Sequence, residues 1–405
     1  MVVMRSHNVP ALRLEGFDGE WELKAIGDLF AERHESFPEG ELLSVTLRNG
    51  IKRFQEIGRH NTSNEDKSKY KLVEVGDIAY NSMRMWQGAS GVSPWKGIVS
   101  PAYTVLKPIG SQDTCFFAYY FKTSNMIHEF QLNSQGLTSD TWNLKYPALS
   151  DIEIYRPQDI EEQQAIGAIF TNLDAAINQH TKKHQALQQA QAALMQRMFP
   201  QEEGQTVPEL RLDGFDGEWE LKAIGDLSGR AYGGGTPSSD EPGYWSGDIP
   251  WIQSSDVAEQ GVAPVAPRKH ITREAISRSA AMQIPADSVA VVTRVGVGKV
   301  SFMPFPYATS QDFVSLSDLS GNPEYIALTV KRRMEGLADQ LQGSTIKGIT
   351  KTELLNQAVY FPPTLEEQQA IGAVFTRLDT LISTEAKCIE SLKQTKTALL
   401  QQMFI

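Results

Sequence analysis

Cysteine is nearly absent from this chain: among 405 residues there are only Cys115 and Cys388. Two thiols exclude a disulfide framework and a cysteine-rich zinc module, and their scarcity fits a reducing cytoplasm. Long apolar runs are missing too. The best candidate, residues 288–300, is broken by Arg294 and Lys299, so neither a membrane span nor a membrane partner is expected. The first ten residues, MVVMRSHNVP, lack the apolar centre of a signal peptide.

Catalytic signatures are equally scarce. The run 296–300 (GVGKV) has the wrong spacing for a phosphate-cradling loop. No HExxH occurs, and the seven histidines are scattered without ligand spacing, so no metal site is expected. Residues 361–364 (FPPT) lack the amide and the aromatic of an amino-methyltransferase motif. Glu22-Leu23-Lys24 and Glu220-Leu221-Lys222 resemble a nuclease E-x-K, but Asp18 and Asp216 stand only four residues upstream, and an ordinary strand explains the pattern more simply. The chain reads as a non-catalytic protein that carries no cofactor of its own.

What is present is ordinary globular composition, 41% hydrophobic and 21% charged, with a net charge of −11. At roughly 150 residues per domain the length suits two or three domains. The acid is unevenly placed. Residues 30–158 carry fourteen basic and fourteen acidic side chains, and residues 228–363 carry twelve and thirteen. Two long regions are thus near neutral, and neutrality neither demonstrates nor excludes a basic DNA-facing surface.

Self-similarity organises the whole chain. PALRLEGFDGEWELKAIGDL at residues 10–29 returns as PELRLDGFDGEWELKAIGDL at 208–227, identical at eighteen of twenty positions. EEQQAIGAIFTNLD at 161–174 returns as EEQQAIGAVFTRLD at 366–379, identical at twelve of fourteen. Six segments follow: an opening repeat (1–29), a variable α/β domain (30–158), a helix (159–200), a linker with the second opening repeat (201–227), a second variable domain (228–363) and a second helix (364–405). The variable domains read as mixed α+β, with β-rich runs at 72–79, 98–106 and 289–292 and a helix over 116–131.

Both repeated helices carry apolar residues in alternating steps of four and three. The first seam is Ile166, Phe170, Leu173, Ile177, His180, His184, Leu187, Gln191, Leu194 and Met198. The second is Ile371, Phe375, Leu378, Ile382, Glu385, Ile389, Leu392, Lys396, Leu399 and Met403. More than four heptads of this pattern favour a mutual coiled coil over helices lying each on its own domain. Compact domains keep their chain ends close together, so the second helix should run back along the first, antiparallel, in a pseudo-twofold arrangement. Pairing about Lys182 and Lys387 sets His184 opposite Glu385 and His180 opposite Ile389, a polar interruption that would fix the register.

The two EEQQ helices resemble the conserved regions of the specificity subunits of type I restriction–modification systems. The segment GGGTPS at 233–238, followed by YWSGDIPWI at 244–252, is similar to the opening of their target-recognition domains. GSTIKGI at 343–349 looks like a loop before their second conserved helix, with QGLTS at 135–139 as a weaker counterpart. The resemblance covers essentially the whole chain. It implies a non-catalytic subunit that reads a bipartite double-stranded DNA site through its two variable domains, with the coil as a ruler. It also implies recruitment of two modification subunits that use S-adenosylmethionine, joined by restriction subunits that use ATP and Mg2+. A scaffold whose variable domains bind proteins instead is the alternative reading. The near-perfect opening repeat is compatible with recombination as well as with selection for a partner surface.

Base reading needs bidentate donors in projecting loops, with phosphate contacts to fix register. In the first domain Asn81, Arg84, Trp86 and Gln87 follow a β-like run, although Met83, Met85 and Trp86 can equally be core. Ser139, Thr141 and Asn143 form a second candidate loop. In the second domain the candidates are Thr236, Ser238, Arg294, Lys299, Thr345 and Lys347, while Lys331-Arg332-Arg333 suits a solvated face or a phosphate contact.

Overall fold

The computed structural model describes residues 8–47, 50–58, 60–61, 63–139, 141–201, 204–341 and 348–405. They divide into two compact units, Met1–His180 with Cys388–Ile405, and Thr181–Lys387. The fold is mixed α/β, and each unit repeats one plan.

In the first unit the opening strand Glu22–Ala25 pairs antiparallel with Glu153–Arg156, where the variable region ends. The variable region itself is built on a four-stranded antiparallel sheet, in the order Phe30–Glu32, Tyr103–Pro108, Ile78–Asn81, Ser90–Val92. In the second unit Glu220–Ala223 pairs with Ala358–Phe361. The matching sheet runs Ser228–Gly233, Phe313–Leu319, Ser288–Val292, Val300–Met303. A further three-stranded sheet there joins Lys269–Ile271, Ile249–Ile252 and Ala308–Thr309. Ser288–Val292 is buried at every position, which is why residues 289–292 run apolar without alternation.

Three sequence expectations need correction at their edges. The run 72–79 is two strands, Lys71–Val73 and Ile78–Asn81, separated by a turn in which Gly76 takes a positive φ of 91°. The run 98–106 likewise divides into Gly97–Val99 and Tyr103–Pro108, around a turn containing Pro101, which has no N–H to give a ladder. The helix expected over 116–131 is two helices, Thr114–Tyr120 and Ser124–Leu132, because the Thr123 side chain recaps the chain by accepting from Met126 N. Its counterpart in the second unit, Pro323–Leu341, is unbroken.

The repeated residues make repeated contacts. Arg13 donates to both carboxylate oxygens of Glu162 (2.8 and 2.7 Å), and the Trp21 indole donates to the same group at 3.4 Å. Arg211 and Trp219 do this to Glu367, at 2.8, 2.8 and 3.2 Å. Each arginine also donates to two carbonyls of a tight turn, Asp18 and Gly19 or Asp216 and Gly217. Gly19 and Gly217 sit there at φ of 80° and 82°, where a side chain would be strained. Gln163 donates to Pro157 O and accepts from Asp113 N, and Gln368 does the same with Pro362 and Asn322. Asp113 and Asn322 in turn cap the domain helices. Gly167 and Gly372 let the long helices pass those caps, since a Cβ would lie 2.7 Å from Asp113 Oδ1 and 2.8 Å from Asn322 Oδ1.

The long helices span Ile160–Arg197 and Leu365–Gln402, about 57 Å each at 1.5 Å per residue. Within the first unit Asp174 accepts from Lys396 Nζ at 2.6 Å, and His180 Nε2 lies 3.7 Å from Cys388 Sγ. Within the second, Lys183 pairs with Glu385 at 2.6 Å, and Gln191 donates to Asp379 at 2.6 Å. Partner numbers fall as the first helix advances, so the helices pair antiparallel. Every seam residue named from the heptads is buried or half-buried. Beside the expected register, Lys183 ion-pairs with Glu385, and His180 lies against Cys388, the neighbour of Ile389. A lysine beside the seam has the reach to lay its amine over a seam carboxylate.

The residues that follow each helix complete a core. Phe404 stacks on Tyr120 and contacts Phe116 and Phe170 at centroid distances of 5.0, 5.2 and 5.6 Å. Phe199 stacks on Tyr325 at 5.7 Å and meets Trp219 and Phe375. Leu12 N donates to Gln402 O, and Leu210 N to Arg197 O, both at 2.8 Å.

Candidate nucleic-acid interface

In the first domain the two candidate loops converge. Leu144 N donates to Ser82 O at 2.8 Å, and Gln135 and Asn143 exchange backbone hydrogen bonds. Loop 135–143 therefore lies beside the loop that follows Ile78–Asn81. Trp86 and Trp142 meet edge to face, 5.2 Å apart at 77°, while the Trp86 indole N–H is held by Met83 O. Asn81 Oδ1 accepts from Met83 N and fixes the turn. Arg84 is exposed, with its guanidinium 3.4 Å from Gln87 Oε1 and no ion-pair partner among the described residues. Ser139 and Thr141 are exposed, and Thr141 closes a local turn onto Thr138 O. Asn143 Oδ1 is buried without a hydrogen-bond partner among the described residues. Of the apolar residues in this cluster only Met85 is core; Met83 is 48% exposed.

The second domain spreads its candidates more widely. Ile349 N donates to Thr293 O at 2.8 Å, so the exit of the 343–349 loop lies against the Thr293–Arg294 turn, as loop 135–143 lies against Ser82. Thr345 and Lys347 fall outside the described residues. Arg294 is exposed and has no ion-pair partner among the described residues. Lys299 is only 15% exposed and pairs with Glu259 at 2.6 Å, which leaves it poorly placed for DNA. Lys331 is buried, donating to Glu259 O and Gly298 O and pairing with Glu335. Arg332 lies over the Phe199 ring at 5.7 Å, and Arg333 holds Gln357. The three adjacent cations therefore have three different environments.

Thr236 borders a recess that residue-by-residue sequence reading missed, and Ser238 adjoins it through Trp245. Thr236 Oγ1 donates to Gln311 Oε1 at 2.7 Å, and Ser238 O accepts the Trp245 indole N–H. Trp245 meets Trp251 edge to face at 5.0 Å, with Lys269 over both rings. Gln253, Gln311 and Asp312 complete the lining. The tryptophans stand within the 244–252 motif, but nothing in sequence spacing brings Lys269, Gln311 and Asp312 to them. Each domain thus carries an edge-paired indole cluster flanked by amides and a cation, although in the second Trp251 is buried and Trp245 only half-buried. This chemistry suits base-edge contacts. Among the described residues no cluster of three or more metal-ligating side chains occurs, and no helix is long and apolar enough to cross a membrane.

Known proteins share this plan. The specificity subunit of the type I restriction enzyme MjaIX of Methanocaldococcus jannaschii is 30% identical over 46% of this chain and 44% of its own length. That of EcoR124I/EcoR124II of Escherichia coli is 30% identical over 42% and 43%. The chain thus matches less than half the length of these two relatives. The putative MjaX specificity subunit matches over 83% of this chain and 79% of its own, at 22% identity. A crystal structure of a type I restriction–modification S subunit from M. genitalium superposes with a TM-score of 0.65 over 98% of this chain and 99% of that one, at 14% identity, and so shares the fold. The sequence profile of the type I restriction modification DNA specificity domain matches twice, at residues 18–189 and 216–394, one match for each half of the duplicated plan. With most of its length covered by these two matches, this chain belongs to the type I restriction modification DNA specificity family.

Proposed function

We propose that this chain is the DNA-reading, non-catalytic subunit of a type I restriction–modification complex, with each variable domain reading one half of a bipartite double-stranded site. The observation that carries the reading is a duplicated frame bearing two unlike polar faces. The frame residues repeat contact for contact, whereas Asn81, Arg84, Trp86, Gln87 and Asn143 on one face have no like-for-like counterpart among Thr236, Gln311, Lys269 and Arg294 on the other. Unlike faces imply unlike half-sites, and the two long helices would act as the ruler between them.

The repeated opening segments and helices would engage two modification subunits, which supply S-adenosylmethionine for adenine methylation. Restriction subunits that use ATP and Mg2+ would complete the assembly, working in the cytoplasm. Because each variable region is close to neutral, the partners would provide much of the phosphate neutralisation, and the subunit alone would bind weakly at physiological salt. The test is selection from random duplexes by the full chain together with type I modification subunits. Two unlike blocks separated by a fixed, unread gap are expected, with centres about 34–36 Å apart if both domains address one face of the duplex. A continuous palindrome, or no enrichment at all, would overturn the reading.

A further inference from the structure

The recess of about 390 Å3 beside Trp245 and Trp251 has more chemistry than a surface dimple requires. Both indole N–H groups are already satisfied, by Ser238 O and Gly235 O, so the rings act as walls. Thr236 Oγ1 donates to Gln311 Oε1 and thereby fixes which way that amide points: its oxygen is engaged and its NH2 remains to donate. Next in the chain, Asp312 accepts from Ser310 Oγ through Oδ2 at 3.2 Å. No cation pairs with this carboxylate among the described residues. Its backbone is pinned, since Thr293 N and Thr293 Oγ1 both donate to Asp312 O. One donor and one acceptor therefore stand side by side on a fixed turn at the wall of an aromatic recess.

Resting on the DNA-reading function proposed above, we propose that Gln311 and Asp312 read the major-groove edge of an adenine in the second half-site. Adenine alone presents an amino donor, N6, next to a ring acceptor, N7. The Gln311 NH2 donates to N7 while the Asp312 carboxylate accepts from N6. Guanine would set its O6 acceptor against the carboxylate, thymine offers O4 and a methyl group, and cytosine offers an amino group without the neighbouring acceptor. A phosphate is excluded by the same carboxylate. Lys269, exposed at the rim over both indoles, suits a phosphate contact that holds the register instead.

The first domain cannot do the same. Strand pairing places Leu106 opposite Ile78 and Leu316 opposite Val289, and Ser82 Oγ donates to Ala102 O as Thr293 donates to Asp312 O. Pro101 and Ala102 thus stand where Gln311 and Asp312 stand, and neither carries a side-chain donor or acceptor. Adenine reading of this kind belongs to the second half-site only.

The experiment uses the selected duplex, the full chain and the modification subunits, with a cleavage reagent tethered at position 294 assigning the second half-site. Each adenine is replaced in turn by 7-deazaadenine, which lacks N7, or by purine, which lacks the amino group. One adenine of the second half-site should lose affinity about tenfold with either analogue in the unmodified chain. Gln311→Ala should abolish the 7-deazaadenine penalty at that position, Asp312→Ala should abolish the purine penalty, and both should leave the first half-site unchanged. Lys269→Ala should weaken all sequences alike. The proposal is overturned if no adenine in that half-site responds to both analogues, or if the variants lose affinity while keeping both penalties. A chain that selects no DNA at all would overturn the DNA-reading function and this assignment with it.

Discussion

Set the two halves side by side. Glu162 is 2% exposed beneath Arg13 and Trp21, and Glu367 is 1% exposed beneath Arg211 and Trp219. Twelve residues later the halves begin to differ. Asp174 is held by Lys396 and the Tyr119 hydroxyl, whereas Asp379 is held by Gln191 and the backbone N–H of Val262. At the loops, residues in matching register differ: Pro101 and Ala102 stand where Gln311 and Asp312 stand. Identity is kept where a buried charge must find its partner, and also at exposed positions of the opening repeat such as Leu23 and Leu221, and is lost in the loops of the variable regions. The lesson is that duplication preserved a chassis whose contacts tolerate no exchange, while the faces it displays diverged freely.

The sharpest way to break this equivalence is to remove a buried carboxylate. Glu162→Ala and Glu367→Ala each strand a mostly buried guanidinium and an indole N–H, and each should cost about 3–5 kcal/mol, read by urea unfolding of the full chain. A large cost in one half with little in the other would show that the two clasps are not equivalent. Phe404→Ala and Phe199→Ala should each cost about 3–4 kcal/mol, since each ring contacts at least three aromatic neighbours in its own core. If only Phe199→Ala destabilised, the matched role of the residues after each helix would be wrong.

Smaller effects separate the faces. Trp142→Ala removes the edge partner of Trp86 and should reduce affinity for the first half-site about tenfold, leaving the second half-site preference intact in the duplex selection. A change in the second half-site would mean that the domains do not read independently. The smallest effect concerns the divergent aspartates. Burial raises the Asp379 carboxyl above its ordinary range, opposed by the hydrogen bonds from Gln191, Val262 and Ala263. The folded chain therefore holds that proton to higher pH than the unfolded chain does. This group contributes stability below the ordinary carboxylate value that is lost as pH rises through the folded value. Asp379→Asn should flatten that part of the pH–stability curve, read by urea unfolding across that pH range.

The duplicated plan, the seam of both helices and their antiparallel pairing were legible in the sequence because repeats and heptads are local, periodic signals. The four-to-three spacing marks a face whatever surrounds it, and the matching motifs at 161–174 and 366–379 announce matching frames around Glu162 and Glu367. Within the seam, the Lys183–Glu385 pair was not legible, since a long side chain beside the seam reaches across it only once the helices are wound together. The candidate faces were half legible. Asn81 to Gln87 and Ser139 to Asn143 stood out as polar loops, and packing alone joined them through Trp86 and Trp142. The broken helix around Thr123, against the continuous Pro323–Leu341, needed a cap whose competition with helix continuation no propensity weighs reliably.

Sequence by itself determined that this protein is two copies of one unit joined through long helices, because burial of apolar stripes and of charged clasps forces residue identity at fixed spacing. Only the tertiary structure decided which polar side chains share a surface. Gln311, Asp312, Lys269 and Trp251 come from separate strands and turns, and Thr236 must donate to Gln311 before the amide has a direction. Such a constellation is set by how strands pair and where turns close, which carries no period along the chain.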